Sequence, residues 1–281
     1  MKTASPIVST EWLAEHLEAP DVRVVDASWY LPQAGRDARA EYAAAHIPGA
    51  VFFDIDDLSD DRSPYPHMLA PAPKFASRMR ALGLGDGNLI VCYDGAGIYS
   101  AARAWWMLRA MGHEDTVVLD GGFPKWKREG RPIEDLPPAP GHRHFTPRPN
   151  NAIIRDFAQM QAAVAARDCQ IVDARGAPRF EGRESEPRPG VRSGHMPGAL
   201  NIPYTDFTAE DGTLKTPNEL KALFAQKGVD CARPVVTTCG SGVTAAIAML
   251  ALARIGSPHV ALYDGSWAEW GARAEAAVEV S

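Results

Sequence analysis

Val235-Val236-Thr237-Thr238-Cys239-Gly240-Ser241-Gly242-Val243-Thr244-Ala245 is the stretch on which the reading of this chain turns. Its first four residues are β-branched throughout and read as a buried strand. Residues 245–253 (AAIAMLALA) are apolar and strongly helix-forming, and read as a buried helix. Cys239 therefore falls on a short glycine-containing loop between a strand end and a helix start. Backbone N–H groups at a helix N-terminus lack intrahelical partners, and the helix dipole favours negative charge there. A thiol so placed is a thiolate more often than a free cysteine is. The loop is suited to holding an anion on sulfur, and a turn with two glycines is expected to expose the thiol rather than bury it.

Outward from this loop, strand-like and helix-like runs alternate. In the first half, 22–26 (VRVVD), 88–93 (NLIVCY) and 116–119 (TVVL) read as strands, 41–45 (EYAAA) as the start of a helix and 100–111 as a helix. In the second half, 170–172, 235–238 and 260–263 read as strands, and 157–166 and 217–226 as helices. Apolar strands alternating with helices imply an α/β fold with parallel sheets covered on both faces and right-handed crossovers. Ligands of such sheets sit beyond the carboxyl ends of the strands, which is where Cys239 lies.

The two halves also repeat each other about 145 residues apart. Val25-Asp26-Ala27 recurs as Val172-Asp173-Ala174, and His46-Ile47-Pro48-Gly49-Ala50 as His195-Met196-Pro197-Gly198-Ala199. Asp120-Gly121-Gly122-Phe123-Pro124-Lys125-Trp126 recurs as Asp264-Gly265-Ser266-Trp267-Ala268-Glu269-Trp270. Three matches in one order indicate two copies of one domain. The proline-dense stretch 137–150 has neither periodicity and reads as a stiff linker, so the expected domains are 1–136 and 151–281.

The bulk numbers fit two domains: 281 residues, 46% hydrophobic and 23% charged. A net charge of −6 gives no electrostatic reason to expect nucleic acid or an anionic membrane as partner. The longest apolar runs fall far short of the ~18–20 residues of a membrane span. The N-terminal segment, with Glu11, Glu15 and Glu18, lacks the apolar core of a secretory signal. Cys92, Cys169, Cys231 and Cys239 have no CxxC or metal spacing, so neither metal nor cofactor is expected, and reduced thiols in a cytoplasmic protein are.

Paired domains with HxPGA boxes, a DGG/DGS-x-x-x-W box after the last strand and a CGSGVTA loop in the second copy resemble the rhodanese-type sulfurtransferases. The resemblance runs from about Ser9 to Trp270. It implies two domains, each a five-stranded parallel sheet between helices, the first catalytically silent and the second carrying the nucleophile. Aligning the halves puts Asp94 where Cys239 stands, and an aspartate cannot carry sulfane sulfur. Cys92, inside a strand, is expected to be buried.

The family's reaction implies that Cys239 attacks the donor's sulfur, becomes a persulfide, and passes the outer sulfur to cyanide, a small thiol or a thioredoxin-like dithiol. N–H groups from Gly240 through Ser241, Gly242, Val243 and Thr244 would stabilise the anion, with Gly240 and Gly242 allowing the backbone angles this needs. A cysteine phosphatase would need an arginine where Ala245 closes the loop, and none occurs before Arg254. Thiosulfate-specific relatives resemble a loop with cationic residues after the cysteine. The uncharged Gly240 and Ser241 favour a monocarboxylate donor, mercaptopyruvate, over thiosulfate. The family match makes Arg179 and Arg188 its carboxylate clamps, since arginine's planar fork suits the task. It also suggests a proton relay of Ser241, His67 and Asp56 to the enolate left when sulfur departs.

Other residues read as structural. His46 and His195 occur in both copies, the silent one included; Trp126 and Trp270 read as packing, and Asp26 and Asp173 as caps of backbone turns. A monomer is the simplest assembly. The alternatives are a thiosulfate:cyanide sulfurtransferase and a non-catalytic binding or sensor module.

Overall fold

Two sheets with the same strand order organise the chain, whose computed structural model describes residues 3–136, 138–139 and 141–281. The first sheet holds β1 (Ile7–Val8), β2 (Val22–Asp26), β3 (Val51–Phe52), β4 (Leu89–Tyr93) and β5 (Thr116–Leu119) in the order β1-β5-β4-β2-β3. The second holds β6 (Ile154–Arg155), β7 (Gln170–Asp173), β8 (Leu200–Asn201), β9 (Val235–Thr238) and β10 (Val260–Tyr263) in the order β6-β10-β9-β7-β8. Every pairing is parallel. In each unit the aspartate of the repeated V-D-A box ends a central strand: Asp26 lies opposite Tyr93, and Asp173 opposite Thr238.

The helices are α1 (Thr10–His16), α2 (Ala38–Ala44), α3 (Ala72–Ala81), α4 (Ala101–Ala110) and α5 (Gly122–Arg128), then α6 (Phe157–Ala166), α7 (Ala177–Phe180), α8 (Pro217–Gln226), α9 (Ala245–Arg254) and α10 (Ser266–Trp270). Helices α4 and α9 are buried almost all round, as their mainly apolar sequences require; α4 also buries Arg103. Capping boxes start α6 at Asp156 and α8 at Thr216. The helix expected to start at Glu41 starts three residues earlier, at Ala38. Asp37 caps the helix by accepting from Ala40 N, and Ala45 is already extended on the way to the His46 box. None of the described helices is long and apolar enough to cross a membrane.

Residue contacts divide the chain differently from the expected split. The first unit comprises Met1–Asp61, Leu69–Asn150 and Thr208–Leu214; the second comprises Arg62–Met68, Asn151–Phe207 and Lys215–Ser281. Much of the expected linker 137–150 is thus part of the first unit; Pro137 and Pro140 lie outside the described residues. Its Phe145 is buried against Phe75 and His113, and Thr146 donates to Asp86, contacts that a proline-rich composition does not announce. Leu214 N donates to Asp120 in the first unit, and His67 bonds Ser241 in the second. The buried core of the first unit gathers on Leu13, Val24, Val91, Tyr93 and Trp126; that of the second on Met160, Ile171, Val236, Tyr263, Trp267 and Trp270.

Candidate active site

The Asp94 loop of the first unit shows what this backbone turn is shaped to hold. Asp94 follows β4, is fully buried, and fills its own loop with its carboxylate. Oδ2 accepts from the N–H groups of Tyr99, Ser100 and Ala101 at 2.8–2.9 Å, and Oδ1 from Ala96 at 2.8 Å. The turn before α4 is an anion cradle with its anion built in. In the repeat register those donors correspond to Ser241, Thr244, Ala245 and Ala246, around Cys239.

Cys239 follows β9, and α10 pins its loop: Trp267 N donates to Cys239 O at 2.9 Å and Ala268 N to Gly240 O at 2.8 Å. The expectation of an exposed thiol is corrected, because Cys239 is only 2% exposed. Two glycines make the loop tight, but α10 is bonded to its backbone and Arg179 packs against Gly240. Gly242 has φ +80° and needs to be glycine for that reason. Gly240 is not in the left-handed region; a β-carbon there would come within 3.1 Å of Arg179 Nη2, so space is what it provides. Val243 is buried, and Thr244 is the N-cap of α9.

Arg179, on α7, therefore lies against the nucleophile loop. Arg188 interacts electrostatically with Arg179 and Cys239. Burial, then the like charge of Arg179, pushes the Arg188 guanidinium below its usual range, while Cys239 acts in the opposite direction. Arg179 is thus placed against the loop that carries Cys239, and Arg188 is within electrostatic reach of both. Ser241 Oγ lies 2.9 Å from Nδ1 of His67, both side chains being buried, and His67 is held at φ +61°, a conformation that costs a non-glycine residue about 1 kcal/mol. Asp56 belongs to the first unit, where Trp29 Nε1 donates to it at 3.1 Å.

Sequence reasoning missed three residues. Arg175, buried, is paired with Asp173 and Glu186 and lies 4.3 Å over the Trp267 ring; burial opposes its charge, but the two carboxylates more than offset this and raise its pKa. Glu186 bonds Arg175 and Arg179 together. Ser266 Oγ accepts from Cys239 N at 3.3 Å and donates to Tyr263 O at 2.9 Å. Ser266 sits at φ +49° where its repeat partner is Gly122 at φ +55°, so the DGG-to-DGS difference was the available signal.

The residues read as structural are so placed. His46 Nδ1 bonds Tyr42 O, and His195 Nδ1 bonds Phe180 O with its ring stacked on Phe180. Trp126 and Trp270 are core residues; Asp26 and Asp173 accept from Ser28 N and Arg175 N. Cys92 is fully buried, and burial pushes its thiol far up. Among the described residues no group of His, Cys, Asp or Glu is placed to hold a metal.

A cysteine at a strand-to-helix turn whose repeat counterpart holds a carboxylate, with Arg179 against its loop and a bonded Ser241–His67 pair next to it, is the arrangement of an enzyme class that works through a cysteine side chain. The model of the Rhodanese-like domain matches residues 9–129 and again 156–273. The chain is 46% identical over 274 residues to 3-mercaptopyruvate sulfurtransferase of Homo sapiens, covering 95% of this chain and 92% of that one. It is 43% identical to thiosulfate sulfurtransferase of Gallus gallus, covering 95% and 94%. The crystal structure of SseA from Escherichia coli superposes with a TM-score of 0.87 at 42% identity, covering 94% of this chain and 99% of that one. The chain belongs to the rhodanese family and is a sulfurtransferase with two rhodanese-like domains.

Proposed function

We propose that this sulfurtransferase takes sulfane sulfur from 3-mercaptopyruvate, carries it as a persulfide on Cys239, passes it to a thiophilic acceptor and releases pyruvate. Relatives named for either donor lie within a few per cent identity of each other, so overall similarity does not choose between donors. The observation that carries the choice is local. The two residues after Cys239 are uncharged, Arg179 lies against the loop and Arg188 interacts electrostatically with Cys239, and arginines of this kind suit a carboxylate.

In the first half-reaction the Cys239 thiolate attacks the donor sulfur. An S–S bond forms, the C–S bond breaks, and its electron pair becomes the enolate of pyruvate. The thiol proton lost from the new persulfide reaches the enolate carbon through Ser241 Oγ and His67, so the products are pyruvate and a persulfide anion. Asp56 is carried over from the family resemblance as a further member of this relay. In the second half-reaction cyanide, a thiol or a thioredoxin-like dithiol takes the outer sulfur and restores the thiolate. Burial of Cys239 strengthens every charge interaction around it. The enzyme is proposed to act as a monomer in a reducing cytoplasm.

Intact mass after incubation with mercaptopyruvate is expected to rise by about 32 Da, one sulfur, in the native protein and not in Cys239→Ser. No gain with any donor leaves a non-catalytic module. A higher kcat/KM for thiosulfate than for mercaptopyruvate refutes the donor assignment.

A further inference from the structure

We propose that Glu186 is a specificity-determining residue, setting the net charge that the site presents to its sulfur donor and so its preference for a monoanion. This rests on the reading of Cys239 as the sulfur carrier.

The Glu186 side chain is 3% exposed, in a segment whose neighbours Ser185 and Pro187 are exposed. Its Oε1 accepts from Arg175 Nη1 at 2.8 Å and Arg179 Nε at 3.2 Å, and its Oε2 from Arg179 Nη2 at 2.5 Å. Arg175 is already neutralised: Asp173 takes its Nε and Nη2, and Gly194 O accepts a further bond. Glu186 therefore balances Arg179, which lies against the sulfur loop, and it also acts electrostatically on Arg188. The three guanidiniums of Arg175, Arg179 and Arg188 face the two carboxylates of Asp173 and Glu186. Leaving aside the sulfur of Cys239, whose charge both donors meet alike, these five side chains carry a single net positive charge, the complement of one carboxylate.

Charge interactions in such a site scale with the ligand's charge. Removing the negative charge of Glu186 favours a dianion about twice as strongly as a monoanion. A role limited to holding Arg179 in place would weaken both donors, the dianion at least as much as the monoanion, so the ratio would not rise. The first unit holds a related pair without the cysteine: Arg36 bonds Glu41 and Gly95 O beside Asp94.

The test is a double-mutant cycle over Glu186→Gln, Arg179→Gln and the double variant, with kcat/KM measured for thiosulfate and for mercaptopyruvate. In Glu186→Gln the thiosulfate-to-mercaptopyruvate ratio is expected to rise at least tenfold. In the double variant, where one charge of each sign is removed, it is expected to return towards the native value. Glu186→Asp, which keeps the charge, and Glu41→Gln, in the first unit, should leave the ratio unchanged. If Glu186→Gln does not fold, the double variant against Arg179→Gln alone reads the same charge, because both lack the guanidinium. An unmoved ratio in either comparison overturns the proposal. Failure of native protein to gain sulfur on Cys239 sinks the underlying reading instead; loading with an unmoved ratio sinks only the inference about Glu186.

Discussion

Replacing Arg188 by alanine removes the guanidinium that interacts with Cys239 and is assigned to the donor carboxylate. A charge-assisted hydrogen bond of this kind contributes about 1.5–3 kcal/mol, or about 10- to 150-fold in kcat/KM. Two features of the site place the expected loss in the lower part of that range. Arg188 is only partly buried, so water screens part of the interaction, and its loss relieves the repulsion it shares with Arg179. The expected outcome is a fall of about 10- to 50-fold for mercaptopyruvate, mostly through KM. Arg188→Lys, which keeps the charge but not the planar fork, should lose less. Steady-state assays with cyanide as acceptor measure the loss. Single-turnover transfer from preloaded persulfide to cyanide isolates the second half-reaction, which needs no carboxylate clamp. An unchanged KM for mercaptopyruvate, or an equal loss in both half-reactions, refutes the assignment of Arg188.

His67→Asn retains a residue that tolerates φ +61° while removing the imidazole beside Ser241, and should slow desulfuration about 10²-fold or more with transfer to cyanide nearly intact. Rapid-quench assays of the two halves decide it, and equal slowing in both points to damage of the fold; Asp56→Asn is read in the same assay. Burial raises Asp26 from its ordinary 3.8 to about 6, so between those values the folded protein binds a proton that the unfolded chain does not. Stability therefore falls as pH rises from about 4 to about 6, by up to about 3 kcal/mol, and stays lower above that. Asp26→Asn keeps an acceptor for Ser28 N without the buried charge, so its melting temperature should exceed the native one more at pH 7.5 than at pH 4. A gap that does not widen with pH overturns this account.

The strands 22–26, 116–119, 235–238 and 260–263, and the helices 157–166 and 217–226, could be read from sequence to the residue. Each has an unbroken local pattern, and the two helices have capping boxes. The edge strands Ile7–Val8, Val51–Phe52, Ile154–Arg155 and Leu200–Asn201 could not, because two residues carry no periodicity and pair only once a neighbouring strand exists. Short helices such as Ala177–Phe180 are equally silent.

The turn that carries Cys239 was legible because a strand, two glycines and a helix start are all written within a dozen residues. The contrast with Asp94 was legible for the same reason, since the repeat supplies its own internal comparison. Tertiary structure alone decided that the thiol is buried and that Glu186 and Arg175 join Asp173 and Arg179 in one charge network. It likewise assigned 62–68 and 208–214 to units other than those their place in the chain suggests. Propensity and periodicity act between residues a few positions apart, whereas burial and ion pairing depend on which distant segments the folded backbone brings within a few ångströms.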